Sequence, residues 1–199
     1  MARVSTPDFW DGLYDTGGDG WDLGQPSPPL VDVVEHTPPP RGRVAVVGCG
    51  RGHDARFLAR HGYDVVGYDF SPIAVTAARA LARRDGVTVT FEQRDIFTLG
   101  RDAAHAFDGV WEYTCYCAID PARRDEYVRT IAAIVRPGGW LLACFFPLRA
   151  VTAGPPFPVT RAELRRRFAG SFRFERAQPP LRSARGRLGR EWLVFARRT

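Results

Sequence analysis

An α/β fold is predicted for this chain of 199 residues: a doubly wound, mostly parallel sheet of seven strands that ends in a C-terminal antiparallel hairpin. Three features predict it. Between Arg43 and Phe146, apolar strand-like runs alternate with segments of helical periodicity, the pattern of repeated strand–helix–strand units. The first of these strands, Val44-Ala45-Val46-Val47, runs straight into glycines at alternate positions, Gly48-Cys49-Gly50-Arg51-Gly52. The last two alternating runs, Ser171–Ala177 and Arg190–Ala196, have no helix between them, which suits antiparallel pairing. A hydrophobic content of 45% is enough to fill the core of one such domain.

The elements follow in order. Thr6-Pro7-Asp8 starts a helix, with a capping hydroxyl, a proline in the first turn and then an acid. Phe9, Trp10, Leu13 and Tyr14 recur at helical spacing and share one face. Gly17-Gly18-Asp19-Gly20 breaks this helix, Trp21-Asp22-Leu23-Gly24 is a loop, and Ser27-Pro28 caps a second helix that runs to about Glu35. Core packing and enclosure of a ligand are both open to Trp10 and Trp21; the glycines between them favour a lid. Pro38-Pro39-Pro40 is a short rigid connector. Strand Arg43–Gly48 precedes helix His53–His61, and strand Asp64–Asp69 precedes helix Pro72–Arg84, capped by Ser71. Strand Val87–Gln93 leads into a loop at Asp95–Arg101, and strand Phe107–Tyr113 into helix Pro121–Val135. Pro137-Gly138-Gly139 is a turn before strand Trp140–Phe146, and helix Arg161–Phe168 precedes the closing hairpin. The expected layout is one domain over 1–199: a helical lid (1–40), a core (41–148), and a C-terminal helix and hairpin (149–199).

The net charge of +6 is unevenly spread. No lysine occurs, so all 28 basic residues are arginines, which suggests a coding bias before it suggests a function. Residues 1–40 hold one arginine and seven acids, a net of −6; residues 149–199 hold thirteen arginines and three acids, a net of +10. The basic end lacks an exposed stripe of interleaved aromatics, so it reads as a solvated surface and not as a nucleic-acid site. Apolar runs fall far short of a membrane span, and the N-terminal residues do not read as a signal peptide. Cys49, Cys115, Cys117 and Cys144 have no metal-ligand spacing, so no metal site is expected. Reduced thiols in a cytoplasmic chain, monomeric or weakly dimeric, are the expectation.

In open α/β sheets ligands bind beyond the carboxyl ends of the strands, near the switch point of the winding. That rule selects Gly48, Gly50 and Gly52 after the first strand and Asp69 at the end of the second, about twenty residues on, where a carboxylate can accept both ribose hydroxyl protons. Helix capping is the competing role for Asp69. Asp95 and Ile96 follow the third strand and suit an adenine edge and ring; Glu112 and Tyr113 end the fourth, and Phe146 the fifth. The glycine spacing departs from the dinucleotide pattern, and Asp54 places an acid where a pyrophosphate wants bare amides. Both favour S-adenosylmethionine, which carries ammonium and sulfonium charge. They disfavour a nicotinamide cofactor.

The chain resembles the class I S-adenosylmethionine-dependent methyltransferases, which are Rossmann-like, and more narrowly the thiopurine and thiol/halide methyltransferase group. The likeness rests on Phe9-Trp10-Asp11 with Tyr14, Gly20-Trp21-Asp22-Leu23-Gly24-Gln25-Pro26, Val47–Asp54, and Gly67-Tyr68-Asp69-Phe70-Ser71. It extends through Phe107-Asp108, Cys117-Ala118-Ile119-Asp120-Pro121 and Arg136-Pro137-Gly138-Gly139, and more weakly to Gly154-Pro155-Pro156-Phe157. The resemblance implies that Trp10 and Trp21 enclose the cofactor. It also implies that Asp69, with Phe70 beside it, holds the ribose, that Asp95 and Ile96 hold the adenine, and that Glu112 lies near the cofactor. Plant halide/thiol members tend to carry tyrosine where this chain has Phe146 and Phe157. An anion-orienting hydroxyl is therefore sought at Tyr14, Tyr113 or Tyr116. A catalytic histidine is not expected. Methyl transfer to a thiol, thiopurine, hydrosulfide or halide needs positioning and a water-poor pocket, which Phe9, Phe146, Phe157 and the tryptophans can supply. O- or N-methylation of a small secondary metabolite, or non-catalytic binding of S-adenosylmethionine or RNA, are the alternatives.

Overall fold

A computed structural model of the protein describes residues 3–149 and 154–199. Residues 150–153, at the head of the arginine-rich segment, and residues 1–2, at the start of the stretch assessed as a signal peptide, lie outside the described residues. The strands are β1 (Arg43–Val47), β2 (Asp64–Asp69), β3 (Thr90–Gln93), β4 (Phe107–Tyr113), β5 (Val135–Phe145), β6 (Phe172–Gln178) and β7 (Trp192–Arg198). They form one sheet in the order β3-β2-β1-β4-β5-β7-β6. The first five are parallel, and β7 inserts antiparallel between β5 and β6. The winding reverses at β1, which pairs with β2 on one side and β4 on the other. The carboxyl ends of β1 and β4 therefore flank the switch point.

Alternation along the strands sorts the core into two layers. Ala45, Val47, Val66 and Val110 face one side, against Tyr127, Val128 and Ile131 of α6 (Arg124–Ile134) and Leu164 and Phe168 of α7 (Arg161–Phe168). Val44, Val46, Val65 and Trp111 face the other. There they meet α2 (Pro28–His36), α3 (His53–Arg60) and α4 (Pro72–Arg84). α4 starts at the predicted cap: the Ser71 hydroxyl accepts from the Ala74 amide at 3.1 Å. α1 (Pro7–Asp15) packs on α4, and the Ser71 hydroxyl donates to Asp11.

Three boundaries differ from the sequence reading. The expected loop after β3 contains a 3-10 turn, Ile96–Thr98, and a short helix, α5 (Leu99–Asp102). The Asp95 carboxylate starts that turn by accepting from the Phe97 amide at 3.0 Å. Pro137-Gly138-Gly139, expected as a turn, falls within β5, where Arg136–Gly138 form an exposed bulge. Five residue steps from Val135 to Trp140 oppose two from Phe107 to Gly109, so the surplus residues loop outward. β7 begins at Trp192 because Arg190 still closes a turn onto the Arg187 carbonyl at 2.9 Å. Among the described residues no helix is long and apolar enough to cross a membrane.

Candidate active site

A cavity of about 630 Å³ opens over the carboxyl edge of the sheet, within the range of roughly 300–1,000 Å³ usual for small-molecule sites. Its floor comes from the strand ends: Gly48 after β1, Asp69 and Phe70 after β2, Asp95 and Ile96 after β3, Thr114 and Cys115 after β4, and Phe146 after β5. Phe9, Trp10, Leu13 and Tyr14 of α1 cover it from above with Trp21. Pro155, Pro156 and Arg187 close the far side.

The glycine turn is sterically obligatory. Gly48 and Gly52 have φ of +59° and +71°, and a Cβ would lie 2.8 Å from Cys115 at the first and 2.6 Å from the Phe91 ring at the second. Of the three glycines only Gly48 lines the main cavity. Gly52 is buried beneath the turn. Gly50 turns its amide to Asp69 Oδ2 at 2.9 Å and lines a smaller pocket of about 70 Å³, on the other side of Trp21. Asp69 also accepts from the Ser71 amide at 3.0 Å, so each oxygen keeps acceptor capacity after one backbone bond.

Trp10 and Trp21 both line the cavity. Trp21 meets Trp10 edge to face at 5.3 Å and Tyr14 at 5.4 Å, and its indole donates to the Tyr14 hydroxyl at 3.4 Å. The loop that carries Trp21 is clamped from below. Arg51 donates to Asp19 and, at 2.7 Å, to Asp22, and His53 Nε2 lies 3.1 Å from Asp22. These contacts hold the Asp22 carboxyl well below the usual range, the His53 bond foremost. Two of the seven N-terminal acids, Asp19 and Asp22, are thus spent on Arg51 and His53 of the glycine turn.

Three expectations change. Asp54 offers no charge to the main cavity. Its carboxylate accepts from the Ser27 amide (2.6 Å), the Ser27 hydroxyl (2.8 Å) and the Trp111 indole (2.6 Å), and so ties α2, α3 and β4 together. Phe157 does not line the cavity; its amide is bonded to the Cys117 carbonyl, and Pro155 and Pro156 take its place in the wall. Glu112, 1% exposed, lies behind the wall and not on it. It accepts from the Tyr116 amide at 2.9 Å and from the Tyr127 hydroxyl, which fixes the loop that carries Cys115 and Cys117.

Burial pushes the Glu112 carboxyl up from 4.5 to about 7, with the Tyr127, Tyr116 and Cys115 hydrogen bonds opposing. The folded chain thus keeps a proton that the unfolded chain gives up. Stability is therefore expected to fall as pH rises from about 4.5 to about 7, by about 3 kcal/mol in all. Glu112→Gln, which mimics the protonated form, should flatten that limb. Urea unfolding across pH 5 to 8 reads it; parallel curves for the two proteins would refute it.

The three hydroxyls fare differently. Tyr113 faces the smaller pocket and donates to Glu191 at 2.6 Å; Tyr116 is buried and donates to Glu163 at 3.3 Å. Tyr14 lines the main cavity, and burial with the nearby Asp69 charge keeps its phenol protonated. No histidine lines the cavity, and among the described residues no group of three or more His, Cys, Asp or Glu could hold a metal. Sequence reasoning missed Arg187, taken with its neighbours for solvated surface, and Arg123, whose guanidinium stacks 3.3 Å over the Phe97 ring beside Asp95. Arg187 is one of thirteen arginines in residues 149–199, and Arg123 lies near the start of a predicted helix; neither carries a signal that singles it out.

Residues 5–184 match the family model of thiopurine S-methyltransferase. The chain is 33% identical over 156 residues to a probable thiol methyltransferase 2 of Arabidopsis thaliana, covering 77% of this chain and 68% of that one. It is 31% identical over 152 residues to thiocyanate methyltransferase 1 of Brassica oleracea, covering 75% and 66%. It therefore spans about two thirds of the length of these plant relatives. Among solved structures, the 1,6-didemethyltoxoflavin-N1-methyltransferase of Burkholderia thailandensis, with bound 1,6-didemethyltoxoflavin and S-adenosylhomocysteine, superposes with a TM-score of 0.73 at 25% identity, covering 97% of this chain and 86% of that one. The sheet order, the glycine turn and these matches agree: the chain belongs to the thiopurine S-methyltransferase family, whose cofactor is S-adenosylmethionine.

Proposed function

We propose that the protein transfers a methyl group from S-adenosylmethionine to a small soft nucleophile, such as a thiol, a thiopurine, hydrosulfide, thiocyanate or a halide. One observation carries this reading. A single cavity joins carboxylates at the ends of β2 and β3 to an aromatic enclosure of Phe9, Trp10, Trp21 and Phe146. The names of the relatives supply the acceptor class. The residues present fit the cofactor. Asp69 has the free acceptor capacity for both ribose hydroxyls, Asp95, Ile96 and Phe97 offer an edge and a face for adenine, and Gly48 lets the main chain lie against the ligand. Phe70, Trp10 and Trp21 complete the enclosure, and Gly50 holds Asp69 in place.

When bound, S-adenosylmethionine supplies an electrophilic methyl on sulfonium, so the acceptor's lone pair forms the new bond in line as the carbon–sulfonium bond breaks. The protein's share is positioning and exclusion of water. Trp10, Trp21 and Phe146 give the acceptor apolar surroundings, in which a soft anion sheds its hydration. Tyr14, protonated and facing the cavity, can donate one hydrogen bond to it.

The test is a panel of iodide, thiocyanate, hydrosulfide and benzenethiol incubated with S-adenosylmethionine, with volatile methylated products read by gas chromatography. Product from at least one is expected. Turnover confined to oxygen or nitrogen acceptors would overturn the proposal. Phe146→Tyr adds a hydroxyl to the wall and should shift the iodide-to-thiol preference by about 3- to 10-fold. An unchanged ratio would remove Phe146 from the acceptor site.

A further inference from the structure

Two residues other than glycine have a positive φ among the described residues, His105 and Thr114. Histidine is one of the residues that tolerate this region, and His105 lies ahead of β4, off the cavity. Thr114 is different. It stands just past the carboxyl end of β4 with φ of +67°, and its branched Cβ is crowded against the main chain at that angle. Glycine would adopt the same angle freely. A strained residue persists only where its surroundings over-determine it, and such residues gather where a ligand is positioned.

The surroundings show what holds Thr114. Its hydroxyl donates to the Tyr113 carbonyl at 2.6 Å, and its own carbonyl accepts from the Cys117 thiol at 3.2 Å. Glu112 takes the amides of Cys115 and Tyr116, which folds the chain back over the end of β4. The Cys115 carbonyl accepts from the Ala118 amide at 2.9 Å and the Ile119 amide at 3.2 Å, and the Cys117 carbonyl accepts from Phe157 at 2.7 Å. Residues 115–119 are thus one stiff turn. Cys115, Cys117, Ala118 and Ile119 of this turn line the cavity, and Thr114 is its root.

The turn meets a counterpart on the neighbouring strand. β1 and β4 are paired, with Val47 opposite Glu112. Gly48 follows Val47 at φ of +59°, so two left-handed turns stand side by side where the winding reverses. They interlock: Cβ and Sγ of Cys115 lie 2.8 Å from where a Gly48 Cβ would stand. Trp21, Gly48 and Thr114 also border both the main cavity and the smaller pocket.

We infer that Thr114 is a positioning residue for the cofactor. Its strained turn, fixed by its own hydroxyl, seats Cys115 on the bare Cα of Gly48 and holds one wall of the cavity rigid against the glycine turn. The inference rests on S-adenosylmethionine as the cofactor and not on the proposed acceptor. A wall that is already rigid needs no ordering when the ligand arrives, whereas a wall with a free root must be ordered at each binding event. That accounts for threonine at a position where glycine would be unstrained.

The experiment measures S-adenosylhomocysteine binding by calorimetry, beside thermal melting, for the full-length wild type, Thr114→Gly and Thr114→Ser. Thr114→Gly relieves the strain and frees the root. It is expected to melt no more than about 2 °C below wild type, yet to bind about 5- to 30-fold more weakly. Thr114→Ser keeps the hydroxyl and should bind within about threefold of wild type. A merely structural residue would lose melting temperature and affinity together. The interlock is read separately, with Gly48→Ala in both backgrounds: its effect on affinity should be smaller beside Thr114→Gly, because a loosened Cys115 can withdraw from the added methyl. Thr114→Gly affinity within about threefold of wild type, a parallel fall in melting temperature and affinity, Thr114→Ser no better than Thr114→Gly, or additive effects with Gly48→Ala would each overturn the inference. If the binding differences appear but the wild type methylates no soft acceptor, the proposed function fails and this inference stands. Turnover of those acceptors with binding indifferent to Thr114 does the reverse.

Discussion

Asp69→Ala is expected to weaken S-adenosylmethionine binding by about 100- to 1,000-fold while the chain still folds. The carboxylate sits at the end of β2 and accepts one backbone bond on each oxygen, from Gly50 and Ser71. Its remaining lone pairs are free to accept from the two ribose hydroxyls, as proposed above. Each charge-assisted bond contributes about 1.5–3 kcal/mol, so loss of both costs about 3–4 kcal/mol. The backbone bonds complicate the alanine variant, because the Gly50 amide that they hold belongs to the glycine turn. Asp69→Asn separates the two effects: it keeps the size and an acceptor oxygen, and should lose about tenfold. Calorimetric titration with S-adenosylmethionine, beside a thermal melt, decides the matter. Affinity within threefold of wild type in a well-folded Asp69→Ala protein would sink the ribose assignment.

Asp54→Ala should cost stability, by about 2–4 kcal/mol. Three donors converge on this carboxylate: the amide and hydroxyl of Ser27 and the indole of Trp111. Ser27 and Trp111 are buried, so removing their shared acceptor strands polar groups that water reaches poorly. For a chain of this size that is a drop of about 10 °C in Tm. Asp54→Asn keeps one acceptor oxygen and should lose less than half as much. A melt within 2 °C of wild type for Asp54→Ala would show that the three donors find other partners. Because Trp111 lies on β4 and Ser27 stands at the start of α2, the same variant should loosen the join between α2 and the sheet.

The fold was legible because its signals are local. Period-2 and period-3.6 patterns, the Ser71 and Thr6 starts, and the glycines after β1 each act within a few residues, and every strand and long helix falls within about three residues of the reading except β5, which begins at Val135, five residues before the expected Trp140. The misses in the fold have tertiary causes. β3 shortens to Thr90–Gln93, opposite Val66–Asp69 of β2, and the Arg136–Gly138 bulge is defined only against Phe107–Gly109 of β4.

The site divides along the same line. The sequence alone determined which residues stand at the carboxyl ends of five parallel strands, because strand ends and winding rules follow from the order of the elements. Gly48, Asp69, Asp95, Ile96 and Phe146 reach one cavity for that reason, and the helical spacing of Trp10 and Tyr14 gave them a common face. Only the tertiary structure decided where charges go. Asp54, two residues past Gly52, and Asp22, in the Trp21 loop, are consumed by Ser27, Trp111, His53 and Arg51. Glu112, at a strand end like the others, faces the core because alternation in β4 turns its side chain from the ligand edge toward Tyr127. Arg187 comes from more than 160 residues beyond Trp21 to bond its carbonyl. A side chain's partners depend on distances between segments remote in sequence, and no local pattern encodes which of thirteen arginines will be buried.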